Sequence, residues 1–135
     1  MTPETPAPTA RGRHRGLAYA LFLPEREPAC GVVVLHGAGS RKENHFDFAR
    51  RAVAEGMAAL VYDARGHGES GGRFGPGAFE DAVAMCDLLR EHAGAVALRG
   101  SSMGGFAAIF AAALDGRAAA VVAICPAPPD HLLRG

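Results

Sequence analysis

The sequence predicts an α/β domain in which helices cover both faces of a mostly parallel β-sheet. The first observation is an alternation of short apolar runs with segments whose apolar residues recur at helical spacing. The second is the run Gly31–His36, which is continuous and rich in β-branched residues, as expected of a strand buried on both faces. Such an alternation implies helical crossovers, which make successive strands parallel.

The first half of the chain predicts a leader, three strands and a helix. Residues 1–15 are rich in Pro, Thr and Arg, and we expect them to form a flexible leader. Strands are predicted at residues 17–23, 31–36 and 57–62. Between the last two, near-helical spacing predicts a helix that Gly56 ends; its apolar residues are Phe46, Phe48, Ala49, Val53 and Ala54.

The second half continues the alternation after a glycine-rich loop over residues 65–77. A helix is predicted from Phe79 to about His92, followed by a short strand at 95–98. A small-residue helix over 104–114 and a buried strand over 118–125 complete the pattern, and prolines follow. There is no internal repeat, so we assign residues 16–135 to one partial domain.

Composition and charge exclude several classes of function. Hydrophobic residues make up 49% and charged residues 21%, which is typical of a globular domain. The formal net charge is zero, so no global field favours nucleic acid, and no apolar run approaches the roughly 18 residues of a membrane span. Three cysteines without metal-ligand spacing predict reduced thiols, a cytoplasmic location and no metal site; they are Cys30, Cys86 and Cys125.

The clearest chemical motif is Gly100-x-Ser102-x-Gly104, which lies between a predicted strand and a predicted helix. Small residues on both sides allow the sharp turn that a projecting nucleophilic serine needs. The amides and dipole of the helix that begins near Met103 favour a developing oxyanion. The pattern alone also fits a glycine-rich turn of a nucleotide-binding fold, and Ser101 is the competing serine one position earlier.

A second motif, His36-Gly37-Ala38-Gly39, ends the first buried strand. With the serine motif, it resembles the α/β-hydrolase superfamily of serine hydrolases. The resemblance implies a truncated α/β-hydrolase fold with an oxyanion hole formed by the backbone N–H groups of Ala38 and Met103. It does not make His36 the catalytic base, and we interpret this residue as a structural histidine at a strand end.

A third motif, from Asp63 to Ser70, resembles the D-x-R-G-x-G-x-S loop of the same superfamily. Its implied role is a tight turn beside the floor of the active site, with His67 as a loop residue. The three motifs occur in family order over about residues 17–125. They are similar to the esterase, dienelactone-hydrolase-like and serine-aminopeptidase-like branches alike. Gly66-x-Gly68-x-x-Gly71 also matches a dinucleotide fingerprint, but it leads into more loop rather than a helix.

The resemblance implies a catalytic triad in the chain order Ser, acid, His, with the acid and the His on segments beyond the strand at 118–125. The printed sequence ends ten residues after Cys125, so we expect an N-terminal fragment that lacks both groups, the last strands and any substrate-selecting cap. Asp130 is interpreted as a loop aspartate. The histidines match no position of the family's base; they are His14, His36, His45, His67, His92 and His131. The strand at 118–125 is expected to expose an apolar edge.

Two functional hypotheses follow. In the first, the chain is the N-terminal part of a serine hydrolase that cleaves a small-molecule ester, thioester or amide through an acyl-enzyme at Ser102. It needs no cofactor and has no nucleic-acid or membrane partner, and the chain alone is expected to be almost inactive. In the second, the chain is a non-catalytic remnant, a binding or dimerising module with a hydrolase-like half-fold.

Overall fold

The computed structural model describes residues 7–127. Within this range it contains six strands and three α-helices, together with a single 3-10 turn at Lys42–His45. The strands are β1 (Ala10–His14), β2 (Leu17–Phe22), β3 (Cys30–Leu35), β4 (Ala58–Tyr62), β5 (Ala95–Ser101) and β6 (Val121–Ile124). The helices are α1 (Phe46–Ala54), α2 (Gly77–Arg90) and α3 (Met103–Asp115).

The six strands form one sheet in the order β1-β2-β4-β3-β5-β6. From β4 to β6 all neighbours are parallel, whereas β1 and β2 join antiparallel at one edge. The central strand β3 pairs with β4 on one side and with β5 on the other. The predicted α/β fold with a mostly parallel sheet is therefore confirmed. The carboxyl ends of β3, β4 and β5 lie at the same edge of the sheet, which is where open α/β sheets bind ligands.

Helices cover both faces of the sheet, as the sequence predicts. On one face α1 packs its buried residues Phe46, Ala49 and Ala52 against alternate residues of β2, β3 and β4. On the other face α2 and α3 cover the larger apolar cluster, in which Leu60, Leu98, Met85 and Leu89 are fully buried. Because successive side chains of a strand point to opposite faces, each central strand contributes to both cores.

The flexible leader predicted for residues 1–15 is wrong for Ala10–His14, which form β1. Arg11 pairs with Ala20 and Arg13 with Ala18 across an antiparallel ladder. The side chains of β1 are exposed or half-buried, so this strand is specified by backbone hydrogen bonds to β2 and not by an apolar pattern. Composition therefore carried no signal for it.

Strand β6 lies at the other edge and, within residues 7–127, pairs only with β5. Its Val122 is 51% exposed, and α3 exposes Phe110 and Leu114 beside it. The expected exposed apolar edge is therefore present. The predicted strand 118–125 is shortened to Val121–Ile124, and Asp130 and His131 lie outside the described residues. In the part of the chain that the structure covers, no helix is long and apolar enough to cross a membrane.

Candidate active site

Ser102 occupies the turn between β5 and α3, in a backbone conformation that side chains rarely adopt. Its φ is 52° and its ψ is −117°, and its side chain is exposed. Strain of this kind costs about 1–3 kcal/mol and persists only where surrounding structure holds it. Here the Ser102 amide donates to the Ile124 carbonyl at 3.0 Å, and the Ser102 carbonyl accepts from the amides of Phe106 and Ala127. The edge strand β6 thus helps to fix the turn.

The two flanking glycines are required by close backbone approach. A Cβ atom on Gly100 would lie 2.1 Å from the carbonyl oxygen of Gly104. A Cβ atom on Gly104 would lie 2.1 Å from the carbonyl oxygen of Leu35, at the end of β3. Such distances are far inside van der Waals contact, so no side chain fits at either position. The glycines allow α3 to begin directly beside the ends of β3 and β5.

The loop after β3 runs past Ser102. A Cβ atom on Gly37 would lie 3.4 Å from the Ser102 Cβ atom, which is ordinary close contact. Ala38 follows in an exposed turn that is closed by a hydrogen bond from the Ser40 amide to the Gly37 carbonyl, at 3.1 Å. Among residues 7–127, neither the Ala38 amide nor the Met103 amide donates a hydrogen bond to a protein group. Both predicted oxyanion donors thus lie on segments next to Ser102, with their N–H groups unused.

His36 is almost fully buried, and both of its ring nitrogens contact backbone groups. The Ala64 amide donates to Nε2 at 3.0 Å, and Nδ1 lies 2.8 Å from the carbonyl oxygen of Gly37. Burial is the main cause that lowers the pKa of this histidine. It joins the loop after β3 to the loop after β4, which agrees with a structural histidine at a strand end.

The loop from Asp63 to Ser70 is a tight turn built around the Asp63 carboxylate, which is fully buried. Its Oδ1 accepts from the Lys42 amide at 2.7 Å, and its Oδ2 accepts from the Glu69 amide at 3.0 Å. The Ser70 hydroxyl donates to the Asp63 carbonyl at 2.6 Å and accepts from the Ala18 amide at 2.9 Å. The predicted turn beside the floor of the site agrees with this geometry.

Lys42 is a residue that the sequence analysis did not single out. Its side chain is 2% exposed, and Nζ lies 2.8 Å from Asp63 Oδ2, 2.7 Å from Glu69 Oε1 and 3.0 Å from Glu43 Oε2. Burial alone would lower the pKa of Lys42, but the hydrogen bonds to the three carboxylates outweigh it and raise the pKa above its usual value. Burial would likewise raise the pKa of Asp63, but the hydrogen bonds from Lys42 and from backbone amides lower it. Lys42 is the only lysine in the chain, and that is the one signal the sequence offered.

A second ion pair ties the same loop to α2. Arg65 Nη2 donates to Oδ1 of the buried Asp81 at 3.0 Å, and Arg65 Nε donates to the other carboxylate oxygen. Both residues line a small cavity, together with His36, Tyr62 and Met103. Ser102 is not among the residues that line this cavity, although its neighbour Met103 is.

Within residues 7–127, no histidine or carboxylate hydrogen-bonds to the Ser102 hydroxyl. The His67 ring lies 5.0 Å from the His36 ring, and its Nδ1 contacts the Arg65 carbonyl, so it belongs to the loop. His45 ends the 3-10 turn that precedes α1, and burial, followed by the charge of Arg99, lowers its pKa. The described residues thus bring together a serine, two free amides and a helix N-terminus, without a base.

Comparison with known proteins identifies the family. A family model described as serine aminopeptidase S33, within the hydrolases, matches residues 26–132. The chain belongs to the serine aminopeptidase S33 family. The predicted membership of the α/β-hydrolase superfamily is thereby confirmed, and of the three branches the sequence left open, the family model matches the serine-aminopeptidase-like one.

Among curated relatives of this S33-family chain, the quorum-quenching protein AidA of Acinetobacter baumannii is 37% identical over 119 residues. The match covers 78% of this chain and 38% of AidA, so the chain spans well under half of that relative's length.

Solved structures show the same fold. A lidless α/β serine hydrolase from Xanthomonas campestris superposes with a TM-score of 0.73 at 26% identity, over 93% of this chain and 64% of that one. Est1E of Butyrivibrio proteoclasticus, solved with ferulic acid bound, superposes with a TM-score of 0.75 at 21% identity, over 87% of this chain and 53% of that one. The S33-family chain thus contains the α/β-hydrolase sheet through β6.

Proposed function

We propose that Ser102 is the nucleophile of a serine hydrolase that cleaves a small-molecule ester, thioester or amide through an acyl-enzyme. The observation that carries this proposal is the positive φ of Ser102 at the junction of β5 and α3, between glycines that admit no side chain. A strained, exposed serine at such a turn has no structural advantage over glycine, so the presence of serine there favours a chemical role.

The proposed reaction has two steps. Ser102 Oγ attacks the substrate carbonyl carbon while a base takes the hydroxyl proton, and the carbonyl oxygen becomes a tetrahedral oxyanion. The Ala38 and Met103 amides donate to this oxyanion, and the N-terminus of α3 adds its dipole. Collapse expels the alcohol, thiol or amine, which takes up the proton. Water then attacks the acyl-serine by the same route and releases the acid.

The base and its acid partner come from polypeptide outside residues 7–127, either of this protein or of a partner chain. Support comes from the hydrogen bonds of the described histidines, none of which reaches Ser102. In a well-studied serine protease, loss of the histidine costs about 10⁶-fold in rate. An oxyanion hole alone retains roughly 10³–10⁴ over water. We therefore expect residues 1–135 on their own to hydrolyse esters very slowly.

Est1E was solved with ferulic acid, an aromatic carboxylic acid, which is the class of product that an ester, a thioester or an amide would each release. This chemistry requires neither a metal nor a nucleotide cofactor. The three cysteines are unpaired among the described residues, which supports a cytoplasmic location.

The proposal is tested with a fluorophosphonate probe on the protein expressed from its whole gene. We expect labelling of the wild type and of Ser101→Ala, a matched control one residue away, and no labelling of Ser102→Ala. Equal labelling of Ser102→Ala would overturn the assignment. Hydrolysis of a p-nitrophenyl ester by residues 1–135 that is lost in Ser102→Ala would contradict a purely binding or dimerising role.

A further inference from the structure

The tautomer of His36 follows from its two contacts. A backbone amide only donates, so the Nε2 atom that faces the Ala64 amide at 3.0 Å must accept and carries no proton. In a neutral imidazole the other nitrogen then carries the proton. The Nδ1–H group therefore donates to the Gly37 carbonyl oxygen, 2.8 Å away.

The Gly37 carbonyl and the Ala38 amide belong to one peptide unit. A trans peptide is planar, so its C=O and N–H bonds point in opposite directions, and the structure contains no cis peptide among its described residues. A donor that holds the Gly37 oxygen therefore also sets the direction of the Ala38 N–H. The Ser40 amide holds the second lone pair of this oxygen at 3.1 Å.

The same peptide lies beside Ser102. A Cβ atom on Gly37 would lie 3.4 Å from the Ser102 Cβ atom, and the Ala38 N–H donates to no protein group among residues 7–127. His36 is itself fixed by the Ala64 amide, and the preceding residue, Asp63, is anchored by Lys42. The loop after β4 therefore fixes the His36 ring, and the ring in turn fixes the Gly37–Ala38 peptide, whose N–H group is free.

We propose that His36 is a positioning residue that, through Gly37, orients the Ala38 N–H of the oxyanion hole. The inference rests on the proposed function for the role of Ala38. It assigns His36 no contact with substrate and no proton transfer, since both of its nitrogens are engaged with backbone groups. Its contribution is preorganisation, which lets a donor act on developing charge without rearrangement.

Two variants separate this role from simple packing. In His36→Asn, the side-chain NH₂ occupies the position of Nδ1 and keeps the donor to Gly37, but the acceptor for Ala64 is lost. In His36→Gln, the side-chain amide reaches the position of Nε2 and keeps that acceptor, but the donor to Gly37 is lost. Urea unfolding of both variants measures their stability, so that reactivity is compared only under folded conditions.

The first measurement is nuclear magnetic resonance on residues 1–135 labelled with ¹⁵N and ¹³C. We expect long-range ring correlations to show protonated Nδ1 and bare Nε2 in the wild type. We also expect the Ala38 amide ¹⁵N and Gly37 ¹³C′ resonances to move in His36→Gln and to stay near the wild type in His36→Asn. A protonated Nε2, or unchanged resonances in His36→Gln, would overturn the proposal without reference to catalysis.

The second measurement is the rate of phosphonylation of Ser102 by a p-nitrophenyl alkylphosphonate, with the protein from the whole gene. Removal of an oxyanion donor costs about 10²–10³ in rate, so a misoriented donor in His36→Gln is expected to cost about tenfold or more. His36→Asn is expected to stay within about threefold of the wild type. Equal rates for both variants would contradict the positioning role. Equal reaction of Ser102→Ala would contradict the proposed function itself, leaving the resonance test of the peptide intact.

Discussion

Lys42 places its ammonium group 2.8 Å from the carboxylate of Asp63, and both side chains are buried. The lysine belongs to the 3-10 turn between β3 and α1, whereas the aspartate follows β4. Their ion pair joins the two loops that lie at the carboxyl edge of the sheet. The contribution of this ion pair to stability can be tested by substitution, because both side chains are almost completely buried.

We expect Lys42→Met to lower the free energy of unfolding by about 3–5 kcal/mol, because it leaves the Asp63 carboxylate buried without its counter-charge. Asp63→Asn is expected to cost less than Lys42→Met, because the Lys42 ammonium keeps Glu69 and Glu43 as partners. The double variant is expected to cost clearly less than the sum of the two, because no buried carboxylate is left without a counter-charge. Urea unfolding followed by circular dichroism measures all four proteins. Strict additivity would show that the two side chains do not interact energetically.

The exposed pair Arg51–Glu55 on α1 provides the matched control, because its 3.7 Å contact lies in solvent. Arg51→Met is expected to change the free energy of unfolding by less than about 1 kcal/mol. A loss as large as that of Lys42→Met would mean that burial is not the cause of the effect.

The conformation of Ser102 predicts a reversal of the usual order of glycine and alanine. At φ 52° and ψ −117°, a Cβ atom is strained, so Ser102→Gly is expected to be more stable than Ser102→Ala by about 1 kcal/mol. The control is Ser101, in β5, where glycine is expected to be the less stable of the two by about 0.5–1 kcal/mol. Thermal and urea unfolding measure both pairs. The same order at both positions would show that the turn stores no strain.

Burial of His36 predicts a loss of stability below neutral pH. Its pKa is lowered in the folded state from about 6.5, so the unfolded chain binds more protons as pH falls. The contribution of neutral His36 to the free energy of unfolding is complete above pH 6.5 and declines as pH falls from 6.5 toward the pKa of His36 in the folded state. For one proton, the free energy of unfolding changes by at most about 1.4 kcal/mol per pH unit. His36→Asn is expected to flatten the slope between pH 7.5 and 5.5. The control is His92→Asn, which makes the same substitution at a histidine on the loop after α2. Equal slopes of stability against pH in the wild type and both variants would show that His36 is not the source of the pH dependence.

The apolar edge of β6 predicts self-association of residues 1–135. Val122 is half exposed on a strand that, within residues 7–127, pairs on one side only, and Phe110 and Leu114 extend the apolar surface. In sedimentation velocity, we expect the mean mass of the wild type to rise with protein concentration, and we expect Val122→Lys to reduce this rise. Glu55→Gln, just after the end of α1, changes the net charge by the same amount and is expected to leave the mean mass unchanged. A wild type that remains monomeric would contradict the prediction.

The elements that could be predicted from sequence are those with a strong local pattern. The apolar runs predicted β3 and β4 to within a residue or two, and the Gly-x-Ser-x-Gly spacing located the turn at Ser102. Strand β5 was predicted to end at Leu98 because Arg99 and Gly100 break the apolar run, yet their backbones continue the ladder with Val34 and Leu35. The strand's length was thus decided by its partner, β3.

The sequence by itself determined the fold class, the superfamily and the position of the candidate nucleophile, because periodicity and motif spacing are local properties of the chain. Only the tertiary structure decided which groups meet. Lys42 and Asp63 are separated by a helix and a strand, and β1 is defined by its antiparallel pairing with β2. The Gly37–Ala38 peptide is held beside Ser102 by a histidine that is itself fixed from the loop after β4. These relationships depend on crossovers that bring the ends of parallel strands to one edge, and no local pattern encodes them.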